Sequence, residues 1–408
     1  MGHERMAFPG KDPILVCGAG PVGSVLALYL AREGFNVILL EKEKALPEDL
    51  RASTFHPPTM DMLDRLGLMP RLIEQGLIVA RYQYRDRRTG EIAEFDLSAI
   101  KDETNHPYRL QCEQWRLNKI CCEELRRIPN AKVLFEHAVV KVIDQDADGV
   151  NVLVKTPEGE LTMRGCYVIG AEGANSMVRQ TSGLQYGGFT YPEKFLVAST
   201  PYPLEKFLPR LAGVNYVSDP EEWCVVLRCN NMWRVLFPTK PGETNERLLS
   251  DEYIQDRLHH LASKKGDYEI GHRTLYNVHQ RVADTYRNGR VLLAGDAAHI
   301  NNPLGGMGMN GGLHDAINLA EKFLMVRDGK MSVDAAFDLY DRQRRITAQK
   351  FVQEHTIANK KIMEEKDPDA QKKRQAEFMR QAADPALAKQ FLLKTSMINV
   401  VRESYAIQ

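Results

Sequence analysis

A discontinuous α/β fold is what this sequence predicts: a doubly wound unit on a parallel sheet, interrupted by a β-rich insertion and followed by a helical segment. Three observations predict it. The chain opens as apolar strand, glycine turn, helix and second apolar strand in "ILVCGAGPVGSVLALYLAREGFNVILLE", residues 14–41. Residues 185–285 change to alternating apolar and polar runs with turn residues between them. The uninterrupted apolar strand pattern then returns in "RVLLAGD", residues 290–296. Continuous apolar runs belong to parallel strands buried on both faces, whereas alternation belongs to sheets with two unlike faces.

Taken in order, Ile14 to Cys17 is the first strand. The helix after the glycines runs to about Glu33 and is ended by Gly34, and "FNVILL" is the next strand, closing on Glu41. Residues 14–31 carry no charge and are about long enough to span a bilayer. Three glycines and a proline suit a strand, a tight turn and a helix far better than an isolated lipid-facing helix, so no membrane segment is expected. A helix is predicted over 111–127, with short strands around 132–135, 138–144, 150–155 and 160–164 leading into "CYVIGAEG". In the insertion, "WCVVLR" and "MWRVLFP" are joined at Cys229, Asn230 and Asn231, which reads as a hairpin. After "RVLLAGD" comes a helix from about Met309 to Met325, with Leu313, Ala316, Ile317, Ala320 and Leu324 on one face. "KDPDAQKKRQ", residues 366–375, is a solvated turn and helix start.

The expected division is 1–75, 106–182 and 286–328 for the first domain, 76–105 and 183–285 for the β-rich one, and 329–408 for the helical segment. The 408 residues hold 54 basic and 54 acidic side chains. That balance leaves no electrostatic footprint for nucleic acid or an anionic membrane, and favours a small partner of little charge. Seven cysteines without a C-x-x-C pair suggest neither a disulfide framework nor a metal site. A mixed-charge start without a small-residue cleavage site does not read as a secretion signal, and a reducing cytoplasm is expected.

Two motifs carry chemistry. In "GAGPVG", Gly18 permits a tight turn after a strand, Gly20 lets a pyrophosphate approach the backbone, and Gly23 lets helix and strand pack closely. Glu41, at the end of the next strand, can accept hydrogen bonds from both ribose hydroxyls. This motif alone serves NAD or FAD. The second motif, "GDAAHINNPLGGMGMNGG", residues 295–312, makes the choice. Asp296 is expected to emerge at the carboxyl edge of its strand, where it can hold a sugar-alcohol hydroxyl. Pro303 stiffens the turn, while Gly305, Gly306 and Gly308 let backbone N–H groups face a flat slot. A helix start carries about half a positive charge, worth about 2 kcal/mol against a unit charge at about 4 Å and an effective dielectric near 20. That is enough to favour an anionic reduced flavin.

With "GAGPVG…E", "GAEGANSMVR" and "GRVLLAGDAAHINNPLGGMGMNGG" in this order, residues 12–345 resemble the single-component FAD-dependent aromatic hydroxylases. These are class A flavoprotein monooxygenases of the para-hydroxybenzoate hydroxylase fold. "RASTFHPPTMDMLDRLGL" and "YDRQRR" belong to the same resemblance. It implies a Rossmann-like FAD-binding domain of the glutathione-reductase type, an inserted β-rich substrate domain and C-terminal helices. It also implies that Gly18, Gly20, Gly23, Glu41 and Lys42 hold the adenosine half. Arg51 and Gln111 would touch the flavin side and Asp296 the ribityl chain. Pro303, Gly306, Gly308 and the backbone of Met309 and Asn310 would line the isoalloxazine. Glu172-Gly173 stands where most relatives have Asp-Gly, and Glu172 is expected to make the same contact with a small backbone shift.

The implied chemistry is reduction of FAD by NADH or NADPH, reaction with O2 to a flavin C4a-hydroperoxide, and oxygen transfer to a small aromatic ring. A phenol, aromatic acid or hydroxypyridine would serve as substrate in a site that excludes water. A proton path is expected, because a phenolate is the better nucleophile. In the hairpin, Arg228 should face Trp233 and Arg234 should face Leu227, so only one arginine can face the flavin. Arg228 is the expected binder of a substrate carboxylate, its position resembling the carboxylate-binding arginine of benzoate-type relatives, with Tyr216 and His56 as further substrate contacts.

Other readings of the fold are disfavoured. A halogenase should carry W-x-W-x-I-P, but the tryptophans stand apart at 115, 223 and 233. A disulfide reductase needs a redox cysteine pair. A non-catalytic chaperone of lipidated GTPases would not keep the full set of FAD motifs. A monomer or homodimer is expected.

Overall fold

The computed structural model describes residues 12–48 and 52–408, without the side chain of Phe351. Ile14–Cys17 lies inside a six-stranded sheet whose order is Arg287–Asn288, Val291–Leu293, Tyr167–Gly170, Ile14–Cys17, Val37–Leu40 and Ala131–Leu134. Every neighbouring pair is parallel except the first. The apolar run at 14–31 is therefore a buried strand and the helix Pro21–Arg32, which packs on the helices Gln114–Leu125 and Met307–Arg327. Among the described residues, no helix is long and apolar enough to cross a membrane.

The first glycines are set by contact. Gly18 has φ +100°, and a Cβ there would stand 2.6 Å from the Ala171 carbonyl oxygen. A Cβ on Gly23 would stand 2.0 Å from the Gly18 carbonyl oxygen, so only glycine lets this helix sit on its strand.

A second sheet of eight strands runs His299–Ile300, His272–Ala283, Tyr186–Thr200, Met232–Pro238, Cys224–Cys229, Val214–Ser218, Arg81–Asp86 and Gly90–Asp96. Its two faces have separate cores. On one, Trp233, Val226 and Val235 pack with Ile254 and Leu258 of the helix Asp251–Leu261. On the other, Tyr82, Tyr84, Val214, Tyr216, Val225 and Leu236 pack with Leu304 and with Met363, Phe378 and Leu392 of the C-terminal helices. The hairpin closes at the Cys229–Met232 pair, leaving Asn230 and Asn231 as its loop. His299–Ile300, from the segment expected to belong wholly to the first domain, pairs with Arg281 and Val282 and so joins the two sheets.

The helix expected over 111–127 starts only at Gln114. Residues Arg109–Gln111 form instead the middle strand of a small antiparallel sheet with Thr54–Phe55 and Leu77–Val79. The pairing extends past that strand, because the N–H groups of Cys112 and Gln114 donate to Ser53 and Ala52. The strands Ala138–Gln145, Val150–Thr156 and Gly159–Gly165 make a separate antiparallel sheet. In the C-terminal segment, Asp367 caps the helix Pro368–Ala383 within the stretch read as a helix start.

Replacing Gly23 by alanine should cost about 1–3 kcal/mol or more, since backbone must move to admit the methyl. Scanning calorimetry is expected to show Tm lowered by roughly 3–10 °C, and an unchanged Tm would contradict the packing described.

Candidate active site

At the nucleotide end, Gly20 caps the helix Pro21–Arg32, and a Cβ there would meet nothing within 4 Å. Its neighbours are packed and it is not, which suits close approach of a phosphate to a helix N-terminus. Glu41 is buried, and its two oxygens accept from the N–H of Ala19 at 2.7 Å and of Glu43 at 3.0 Å. A carboxylate has about four acceptor sites, so two remain for ribose hydroxyls. Lys42 is exposed and pairs with Glu43 at 3.6 Å. Arg51 lies outside the described residues.

In the middle motif, Gly173 takes φ +87°. The Glu172 carboxyl accepts from the Ser176 hydroxyl at 2.7 Å and the Val178 N–H at 3.0 Å, so the longer side chain caps the helix Met177–Thr181. Burial pushes its pKa up, and these two bonds oppose the shift. Arg179 donates to the carbonyls of Ala297 and Ala174 and lies 3.9 Å from the centre of the Tyr186 ring. The Tyr186 hydroxyl in turn donates to the Asp296 carbonyl at 2.8 Å. The segment "GAEGANSMVR" is thereby tied to the glycine-rich motif of residues 295–312.

Asp296 does not end a strand as expected. The strand stops at Leu293, and Asp296 sits in a one-turn 3-10 helix, Gly295–Ala297, with its side chain exposed. Gly295 turns the chain at φ +62°, close against Val22.

The glycine loop is more constrained than its composition suggests. Gly305 and Gly306 take φ +101° and +67°, and the helix begins at Met307, two residues before the expected Met309. The amides of Met307, Gly308 and Met309 are first-turn donors without an intrahelical acceptor, whereas the amide of Asn310 falls inside the ladder. The Asn310 side chain accepts from the His56 N–H at 2.9 Å and donates to the carbonyls of Thr54 at 2.8 Å and Gly306 at 2.6 Å. Pro303 is exposed, and its carbonyl accepts from the Gly306 N–H at 3.0 Å.

His56, expected to touch substrate, is fully buried and bonds through Nε2 to the Gly305 carbonyl at 2.8 Å. Since a carbonyl can only accept, Nε2 carries the proton. Burial, aided by Arg109, lowers the pKa to about 3, so the ring is neutral with an unpartnered Nδ1. Thr54 Oγ1 donates to Gln111 Oε1 at 3.0 Å, while Gln111 Nε2 is buried without a partner.

Behind this loop, Asp315 is wholly buried and accepts from the Gly295 N–H at 3.0 Å, His299 Nε2 at 2.8 Å and Arg344 Nε at 2.6 Å. Burial would raise its pKa, but the interactions with His299 and Arg344 overcome this and hold its carboxyl down to about 2. His314, one position earlier, bonds Thr59 Oγ1 at 2.8 Å and is likewise driven neutral by burial, to about 3.

The expected role of Arg228 does not fit the hairpin. Its guanidinium lies 5.3 Å from the centre of the Trp233 ring, on the face that packs against Asp251–Leu261. The cross-strand pairs are as expected, Arg228 with Trp233 and Leu227 with Arg234, but the face toward Leu304 is the other one. There Arg234 is buried and donates to Ser53 Oγ at 3.3 Å.

Tyr216 does lie on the Leu304 face, stacked on Tyr84 with ring centres 5.2 Å apart. Its hydroxyl meets Nη1 of Arg109 at 3.2 Å, and Arg109 also lies 4.3 Å from the centre of the Tyr82 ring. Arg109 escaped the sequence reading. The available signal was period two: on a strand, residue 109 shares a side with Gln111. A buried guanidinium costs several kcal/mol to desolvate, and one stacked tyrosine returns about 2 kcal/mol of that.

The open approach at Gly20, the unused acceptor sites of Glu41, the orphaned Gln111 Nε2 and the amides of 307–309 together suit adenosine, pyrophosphate and a ring edge. Comparison with known proteins identifies the family. A family model for the FAD binding domain matches residues 11–355. The chain is 34% identical over 397 residues to para-nitrophenol 4-monooxygenase of Pseudomonas sp. (strain WBC-3), across 95% of this chain and 96% of that protein. It is 31% identical over 339 residues to 6-hydroxy-3-succinoylpyridine 3-monooxygenase HspB of Pseudomonas putida (strain DSM 28022 / S16), across 82% and 84% of the two chains. Among solved structures, p-nitrophenol 4-monooxygenase PnpA of Pseudomonas putida DLL-E4 superposes with a TM-score of 0.90 at 31% identity, across 96% and 98%.

Gly20→Ala should leave Tm of the apoprotein unchanged and weaken FAD by about 10- to 100-fold, the methyl overpacking the phosphate approach. Flavin-fluorescence titration of apoprotein checks this. A second expectation concerns acid. His56 and His314 remain neutral when folded until about pH 3 but protonate near 6.5 when unfolded. The unfolded state therefore binds more protons, and stability falls as pH drops from about 6.5 toward 3, by roughly 1.4 kcal/mol per unit for each histidine. Urea unfolding at stepped pH should show this contribution, and His314→Gln should lower the slope by roughly 1.4 kcal/mol per unit.

Proposed function

The chain belongs to the FAD binding domain family and is an FAD-dependent aromatic monooxygenase, and from that premise we propose that its substrate is a small phenol of the 4-nitrophenol type, with NADH or NADPH as reductant and O2 as co-substrate. One observation carries the proposal: the aromatic sheet face of Tyr82, Tyr84 and Tyr216 shares one buried apolar cluster with Leu304 of the glycine loop. A flat apolar ring is thereby favoured beside the residues assigned to the isoalloxazine.

Bound FAD supplies hydride acceptance and activation of O2. The chain's own residues supply position and environment. Gly20 and Glu41 would hold the pyrophosphate and ribose, and Gln111 Nε2 would donate toward the flavin side. The first-turn amides of Met307, Gly308 and Met309 present the positive end of a 21-residue helix, favouring negative charge at the ring edge. Leu304, with the aromatic face behind it, keeps water from the reacting atoms. Phe378 and Phe391 close that face from the C-terminal side, their ring centres 4.1 Å from Tyr84 and 4.3 Å from Phe95. His56 Nδ1 is left as a hydrogen-bond acceptor by the bond from Nε2 to Gly305, while burial keeps the ring neutral.

Purified holoenzyme should oxidise NADH or NADPH about tenfold faster or more with 4-nitrophenol than without, with oxygen from labelled O2 appearing in the aromatic product. Aromatic acids and hydroxypyridines form the comparison arms. If no phenol accelerates oxidation, or if all reducing equivalents emerge as hydrogen peroxide, the substrate assignment is wrong.

A further inference from the structure

Arg109 is 2% exposed, yet its guanidinium has no acidic partner among the described residues. Its contacts are the Tyr216 hydroxyl and the face of Tyr82, and its Nε–H is buried without an acceptor. Among the described residues, no carboxylate forms an ion pair with it. The other titratable groups that act on it are Tyr84 and His56, the tyrosines being kept protonated at Tyr82 and Tyr84 by burial and His56 being neutral. The hydroxyl of Tyr82 is engaged with Thr395 Oγ1 at 2.8 Å and is turned to the C-terminal helices. A permanent charge is thus enclosed by neutral phenols, with a donor still to be satisfied.

Its place in the fold says what would satisfy it. Arg109 shares a strand with Gln111, whose Nε2 faces no partner, and acts electrostatically on His56, which is bonded to Gly305 of the glycine loop. Tyr82 and Tyr216 belong to the sheet face that receives Leu304. The cation therefore lies between the glycine loop and the aromatic face, where a ring held between them would present a substituent to it.

We propose that Arg109 is the anion-binding residue of the substrate site and takes the phenolate oxygen of an ionised phenol, Tyr216 and Tyr82 holding the guanidinium in place. This rests on the phenol-hydroxylase reading of the preceding subsection. Arg109 makes the site selective for an acidic phenol over a neutral aromatic of the same shape. The guanidinium remains charged throughout, so ionisation of the bound ligand is the event that responds to it.

4-Nitrophenol reports its own ionisation by its absorbance. Titrated against the native holoenzyme in difference mode without reductant, its bound form should ionise at least about one pH unit below the free form, equivalent to about tenfold preference for phenolate. 4-Nitroanisole, which cannot ionise, serves as the neutral probe. Arg109→Gln should abolish the shift and weaken 4-nitrophenol about tenfold or more relative to 4-nitroanisole, and Arg109→Lys should retain part of both effects.

An unshifted ionisation in the native protein overturns the proposal without any variant. So does an Arg109→Gln protein with the native shift, or one in which only FAD affinity changes. Should Arg109→Gln fail to accumulate, Tyr216→Phe, which removes only the hydroxyl that orients the guanidinium, should lower the same affinity ratio several-fold, and no change would count against the proposal. A shifted ionisation without any oxygen transfer would leave Arg109 as the anion binder and instead refute the hydroxylation of phenols.

Discussion

The placement of the whole site depends on one buried carboxylate. Asp315 receives hydrogen bonds from three other parts of the chain: Gly295 before the Asp296 turn, His299 in the strand that joins the two sheets, and Arg344 in the first C-terminal helix. Arg344 then continues to the Gly311 carbonyl and Ser404 Oγ. Burying such charges gives little net stability, and its value lies in allowing one arrangement only. Here that arrangement sets the Asp296 turn and the glycine helix in register.

A second layer of fixation is neutral. Asn310 uses its side-chain amide to clamp Thr54 and His56 to the start of the same helix, and Asn302 is clamped by Gln280, which reaches Thr356 of the C-terminal region. The glycine loop, built from the most permissive residue, is consequently held from three sides. Its flatness comes from glycine and its rigidity from the amides around it. Preorganised donors of this kind need not reorganise when charge develops nearby.

Much of this was legible in the sequence because it is encoded locally. Gly18 and Gly23 make the tight turn and the close helix packing that their spacing implies, and the hairpin register follows from its two-residue loop. What escaped the reading depends on contacts between distant segments. Whether Arg228 or Arg234 faces Leu304 is decided by which side of the eight-stranded sheet packs on the glycine loop, and alternation within a hairpin carries no such sign. Gln111 falls at the start of the expected helix but ends the strand Arg109–Gln111, whose partners, Thr54–Phe55 and Leu77–Val79, are far away in sequence. Arg109 was hidden for the same reason. The earlier start of the glycine helix reflects Gly305 and Gly306 absorbing the whole turn.

The stacking of Phe378 and Phe391 on Tyr84 and Phe95 has a consequence for biosynthesis. A ribosome delivers Tyr84 and Phe95 long before the helices that carry Phe378 and Phe391. The parallel sheet also waits for Val291–Leu293, which supplies a strand beside Tyr167–Gly170. Until those helices emerge, one side of the eight-stranded sheet presents bare aromatic surface to water, the kind of intermediate that invites aggregation or chaperone capture. The sheet therefore stays open on one side until Phe378 and Phe391 have been made.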